Sequence, residues 1–66
     1  MQIQVNGRPE ITGPSVTIED MLAAKKLDSA CVVVELNRNV IKKETFSSVV
    51  LKEHDVVEIL RFVGGG

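Results

Sequence analysis

This sequence predicts an α+β roll: a mixed sheet of four to five strands with one main helix packed on one face. Three observations predict it. Met1, Ile3 and Val5 alternate with Gln2 and Gln4, the period of two expected of a half-buried strand. One amphipathic segment begins at Thr17 with the chemistry of a helix start. From Cys31 onward, short valine- and isoleucine-rich runs are separated by polar turns, as in a set of short strands.

The elements follow in chain order. Asn6-Gly7 is a strong hairpin signal, although Pro9 leaves the turn type open. A second, weaker strand is expected around Glu10–Thr12, closed by Gly13-Pro14, neither of which suits a strand interior. Thr17 is a good N-cap, with Asp20 three residues later completing a variant capping box. Val16 before the cap is placed to pack on Met21 as a hydrophobic staple. Glu19 and Asp20 put negative charge in the first turn, and Lys25 and Lys26 are expected to put positive charge in the last. Ile18, Met21 and Leu22 form the apolar face of this helix, about ten residues long and ending near Leu27-Asp28.

Cys31–Leu36 reads as the third strand, with Val32, Val34 and Leu36 inward and Cys31, Val33 and Glu35 on the other face. Asn37-Arg38-Asn39 is a turn and Val40-Ile41 a very short strand. Glu44–Ser48 is expected to form a helical turn carrying Phe46 inward, with Leu51 anchoring the return. A polar turn, Lys52-Glu53-His54-Asp55, then leads into a last strand, Val56–Val63. Burying Glu58 without a partner would be costly, whereas Arg61 near the strand end reaches water. Val57 and Ile59 are therefore assigned inward. Leu60 and Phe62 are left as a small apolar patch facing out.

Composition bounds the function. At 66 residues the chain forms one small domain, and with 44% hydrophobic but only 3% aromatic residues its core is aliphatic. A net charge of −1 argues against nucleic acid, which normally demands a basic face; Lys25-Lys26 and Lys42-Lys43 read as solvated surface. The single cysteine, Cys31, cannot form an internal disulfide. Neither a secretory signal nor a run approaching the roughly 20 apolar residues of a membrane span is visible. A cytoplasmic protein without membrane contact is the expectation.

The chain ends on Phe62-Val63-Gly64-Gly65-Gly66. Glycines thread a narrow cleft where a Cβ would not pass, and three of them extend roughly 10 Å. The pattern makes chemical sense if the terminal carboxylate is itself the reacting group. A domain of residues 1–63 followed by a flexible tail of residues 64–66 is expected.

Several stretches together resemble the ubiquitin-like β-grasp sulfur carriers, most nearly those of thiamine biosynthesis. They are Thr17-Ile18-Glu19-Asp20-Met21-Leu22, Val34-Glu35-Leu36-Asn37, Val40-Ile41-Lys42-Lys43 ahead of Phe46, and above all Asp55–Gly66. The resemblance spans nearly the whole chain, and its specific part is the final stretch. Two departures are His54, where the family usually has glycine, and Lys42-Lys43, where some relatives carry proline. His54 must therefore adopt a left-handed conformation or use another turn type.

The resemblance implies that a ubiquitin-activating-type enzyme consumes ATP to adenylate the Gly66 carboxylate. Sulfur from a cysteine desulfurase system then converts it to a thiocarboxylate, and thiazole synthase receives that sulfur. It also implies partner contacts through Leu60, Phe62, Val63, Gly64 and Gly65, with no bound cofactor or metal and no catalytic residue of the domain's own. His54 reads as incidental, and Cys31 as a small strand residue rather than a persulfide acceptor. Three other readings share the tail or fold: a sulfur carrier of another pathway (of the molybdopterin synthase small-subunit type, or serving thiolation of another substrate), a ubiquitin-like protein modifier, and a non-covalent binding module.

Overall fold

A computed structural model describes residues 1–62, which form β1 (Gln2–Val5), β2 (Arg8–Ile11), α1 (Ile18–Ala24), β3 (Val32–Leu36), β4 (Asn39–Ile41) and β5 (Val56–Arg61). Short 3-10 turns lie at Ser29–Cys31 and Lys43–Thr45. The strands make one mixed sheet in the order β2-β1-β5-β3-β4, parallel between β1 and β5 and antiparallel elsewhere. Helix α1 packs on one face, so the predicted α+β roll is the fold observed, with five strands.

Local chemistry accounts for the hairpins. Asn6 and Gly7 have φ of 51° and 81°, the pair of positive values that a two-residue type I′ turn requires. The second strand is Arg8–Ile11 rather than Glu10–Thr12, so it includes Pro9. Pro9 is tolerated because β2 is an edge strand and Pro9 opposes Gln4, between the hydrogen-bonded pairs. Asn37 and Arg38, at φ 51° and 73°, make the second two-residue turn, and Asn39 begins β4 instead of belonging to the loop.

Thr17 caps α1 as its sequence predicts: its hydroxyl accepts from the Asp20 amide at 3.0 Å while the Asp20 carboxylate accepts from the Thr17 amide at 3.1 Å. The next two amides, of Ile18 and Glu19, donate to the carbonyls of Val49 and Phe46, which ties the helix start to the segment before β5. The helix end differs from expectation. It spans seven residues, Lys25 is the C-cap, and Lys26 sits in the left-handed region at φ 58°. The amide of Leu27 donates to Leu22 and that of Lys26 to Ala23, the two bonds of a Schellman ending. Half-buried Leu27 folds back on the core, which favours stopping one turn early, and the lysines contribute nothing to the last turn.

The core is the predicted set except Leu36, which is only half-buried and packs against its margin. Ile3 and Val5 of β1, Ile18, Met21 and Leu22 of α1, and Val32 and Val34 of β3 are buried, as are Phe46, Leu51, Val57 and Ile59. Each such side chain contributes about 1.5–3 kcal/mol by leaving water. Three boundaries move. Cys31 lies in the 3-10 turn before β3, the helical turn is Lys43–Thr45 with Phe46 just after it, and β5 ends at Arg61. Val63 lies outside the described residues.

The start of β5 is fixed by a side-chain network. The Asp55 carboxylate accepts from the Lys52 amide at 2.7 Å and from Asn37 Nδ2 at 3.0 Å, while Asn37 Oδ1 accepts from the Val56 amide at 2.9 Å. His54 takes the left-handed option, φ 69°, with its side chain exposed. Two outcomes follow for stability. His54→Gly removes the steric penalty of an L-residue in that region, about 1 kcal/mol, and should raise the melting temperature by about 4–8 °C in a thermal scan. Asn6→Ala removes both the turn preference and the hydrogen bonds to Ile59 described below, and should lower stability by about 2 kcal/mol in urea titration.

Candidate functional site

The candidate site is the surface around the end of β5, from which the chain leaves the sheet. Alternation along this strand sorts its side chains. Val57 and Ile59 are buried against α1, whereas Leu60 and Phe62 are 60% and 53% exposed. The inward and outward assignments of the sequence therefore hold. Leu60 lies opposite Val33 of β3, so the outward apolar surface runs across two strands.

Beyond the end of β1 the edge of β5 would lose its partner. Asn6 replaces it: its Oδ1 accepts from the Ile59 amide at 2.8 Å and its Nδ2 donates to the Ile59 carbonyl at 3.4 Å. The side chain that shapes the first turn thus also extends the parallel edge of β5. Sequence reading found the turn but not this second role, which depends on two strands distant along the chain.

Phe62 is held in two ways although its ring is exposed. Its amide donates to the Cys31 carbonyl at 2.8 Å, continuing the β3–β5 ladder past Arg61. Lys43 places its ammonium 6.0 Å from the ring centroid and also donates to the Ala30 carbonyl at 3.1 Å. A cation–π contact at an exposed site is worth about 0.5–1 kcal/mol. Backbone pairing therefore carries most of the restraint, and Lys43 orients the ring. The expectation that Lys43 is solvated surface does not hold: it contacts the Phe62 ring and the Ala30 carbonyl, and no local pattern reveals this, since it rests on the Lys43–Thr45 turn lying beside the end of β5.

Arg61 has the inward register of Val57 and Ile59 but sits where the strand passes the covered sheet, beside Asn6 and Arg8 around a shallow hollow. Cys31 is exposed and unpaired in any disulfide, next to the Phe62 backbone. His54 lies before the opposite end of β5, roughly 20 Å or more from Phe62 at the rise of a strand. The structure brings Leu60 and Phe62 together on the open face and keeps His54 away from them. Val63, Gly64, Gly65 and Gly66 lie outside the described residues.

Among the described residues, no three His, Cys, Asp or Glu side chains are grouped to hold a metal ion. No helix there is long and apolar enough to cross a membrane. What the arrangement offers is an apolar platform beside a chain end, with the last described residue clamped by its backbone.

Comparison with known proteins fits that arrangement. The profile of the ThiS family matches residues 3–66. The sulfur carrier protein ThiS of Bacillus subtilis (strain 168) is 43% identical over 97% of this chain and 98% of its own length. A thiazole synthase of Magnetococcus marinus is 36% identical over all of this chain, which corresponds to only 20% of that protein. The crystal structure of a thiamine biosynthesis protein (ThiS) from Geobacter metallireducens superposes with a TM-score of 0.85 at 38% identity, covering both chains fully. The five-stranded sheet with one helix is thus the ubiquitin-like β-grasp, and the chain belongs to the ThiS family.

Proposed function

We propose that this domain carries sulfur for thiazole formation in thiamine biosynthesis, on the terminal carboxylate of Gly66. The observation that carries the reading is the near full-length match to a sulfur carrier protein, extending through the glycines. The outward Leu60–Phe62 surface supports it, because an enzyme that takes the tail needs a place to hold the body.

The chemistry needs a partner. A carboxylate is resonance-stabilised and lacks a leaving group, so nucleophilic sulfur does not displace its oxygen. Attack of the Gly66 carboxylate on the α-phosphate of ATP releases pyrophosphate and leaves an acyl adenylate. A persulfide, supplied through a cysteine desulfurase system, attacks the acyl carbon with its terminal sulfur, and AMP departs with the electron pair. A thiol then cleaves the sulfur–sulfur bond, releasing the thiocarboxylate and leaving the second product as a disulfide.

In this account an adenylating enzyme of the ubiquitin-activating type supplies the first step and thiazole synthase receives the sulfur. The domain contributes presentation: a body to be recognised and a tail, residues 64–66, slim enough to enter each active site. Val63, Gly64 and Gly65 line the partner's cleft, while Leu60 and Phe62 dock outside it. Neither a bound cofactor nor a catalytic residue of its own is required. Support for thiazole synthase as partner comes from proteins of that name in Magnetococcus marinus and Paramagnetospirillum magneticum, in each of which a stretch similar to this entire chain makes up a fifth of the length.

Two outcomes test the reading. Appending one residue after Gly66 should abolish ATP–pyrophosphate exchange by the adenylating enzyme with the melting temperature unchanged; continued exchange would refute activation at Gly66. Leu60→Asp should weaken binding to the adenylating enzyme about tenfold or more, while stability changes by less than about 1 kcal/mol because the side chain is already largely in water. A collapse in stability instead would show that Leu60 belongs to the core.

A further inference from the structure

The two edges of the sheet differ in what they offer to another strand. Along β2 the direction of each free backbone group is fixed. Met1 and Thr12 exchange two hydrogen bonds, of 2.8 Å and 2.6 Å, and so form a hydrogen-bonded pair. By alternation Ile3 with Glu10 and Val5 with Arg8 are such pairs too. Among the described residues no peptide is cis, so each carbonyl points opposite to the amide that follows it. The carbonyls of Pro9 and Ile11 and the amides of Ile11 and Gly13 therefore face away from β1. No hydrogen bond among the described residues engages them.

Two groups are missing from that outward row, and they match. Pro9 has no N–H to give, and the Gly13 carbonyl already accepts the Thr12 hydroxyl at 3.0 Å. Consider an antiparallel strand of the same sequence, related by a two-fold axis at Ile11. It sets Pro9 of one copy opposite Gly13 of the other, so the absent donor meets the acceptor already in use. Ile11 exchanges two bonds with Ile11 of the second copy, and each Gly13 amide donates to a Pro9 carbonyl. None of the outward groups stays unpaired.

The side chains agree with that register. Ile11 pairs with Gln2 and so lies on the open face, where it is 78% exposed; on the axis the two isoleucines cover each other. Glu10 meets Thr12 and Arg8 meets Pro14, so no like charges face one another. A Cβ at Gly13 would meet nothing within 4 Å, which leaves room at the edge. The opposite edge behaves otherwise. The same operation about Val40 of β4 sets Arg38 against Lys42 twice, a charge conflict that guards it.

We propose that β2 is a self-association surface, through which two copies of this chain join their five-stranded sheets edge to edge about Ile11. The pairing is independent of the sulfur-carrier reading and compatible with it. Its axis lies level with Gln2 and with His54, whose amide donates to the Gln2 carbonyl, at the end of the sheet remote from Phe62. Both β5 strands therefore run away from the joint, and both Leu60–Phe62 surfaces stay open. A joint of one short strand falls below the roughly 1,200 Å² of a standard stable interface, so the pair assembles and dissociates with concentration.

Sedimentation equilibrium of the full chain, from about 10 µM to about 1 mM, tests this. The weight-average mass should rise from 7.2 kDa toward twice that value. Ile11→Lys puts two ammonium groups on the axis and should raise the dissociation constant about tenfold or more. The melting temperature of the dilute variant should change little, because the side chain is already in water. Val40→Lys, on the other edge, should leave association as it is. In hydrogen exchange the amides of Ile11 and Gly13 should gain protection with concentration in the parent and not in Ile11→Lys. A mass that stays at 7.2 kDa throughout would overturn the proposal. So would association that survives Ile11→Lys, is lost in Val40→Lys, or leaves those two amides unprotected.

Discussion

The pairing of β5 between β1 and β3 is the constraint on which the rest of this domain depends. It joins the first strand to the last in parallel, and it closes the sheet over α1. Because successive side chains point to opposite faces, the register of β5 decides which half of Val56–Phe62 is core and which is surface. A slip by one residue would turn Glu58 and Leu60 inward and expel Val57 and Ile59. Polar side chains guard against that slip at both ends. Asp55 and Asn37 fix the first residue of the strand, and Asn6 engages both backbone groups of Ile59 where β1 stops. Each of these three residues sits at a turn, so the same short polar side chain serves local geometry and long-range alignment.

Much of the fold was legible because the signals were local. Alternation at Met1–Val5 and along β5 sorted faces correctly, and the Thr17–Asp20 box marked the helix start to the residue. Where the reading failed, a long-range contact outweighed local preference. The helix was read too long since Lys25 and Lys26 are sound helix formers; the burial of Leu27 and a lysine tolerated at positive φ stop it at Ala24. The expected second strand, Glu10–Thr12, leaves Pro9 out, yet an edge position that calls for no N–H toward β1 admits it to Arg8–Ile11. The contact of Lys43 with Phe62 and the bonds from Asn6 to Ile59 join residues 19 and 53 positions apart, beyond any pattern in a window. Within the candidate site, Leu60 and Phe62 were legible from periodicity alone, whereas the facing of Leu60 and Val33 required the register between strands.

Structure and proposed function meet in a division of labour. The body spends its few buried residues on holding β5 straight and its exit fixed, and the open face remains free for other proteins. On the proposed reading the domain gains from a rigid launch point, since a short tail reaches a partner's reaction centre only when its root does not wander. The backbone bond from Phe62 to Cys31 supplies that fixed point one residue before the first position outside the described residues. The same closeness puts a thiol beside the tail root, which makes the location of bound sulfur worth determining directly.

That determination is intact-mass analysis of the protein purified from growing cells that contain its partner enzymes, followed by fragmentation to place the change. The account predicts a fraction in which one sulfur has replaced one oxygen, confined to the peptide that ends at Gly66. A C-terminus that stays an ordinary carboxylate, or sulfur found added to Cys31 instead, would contradict it.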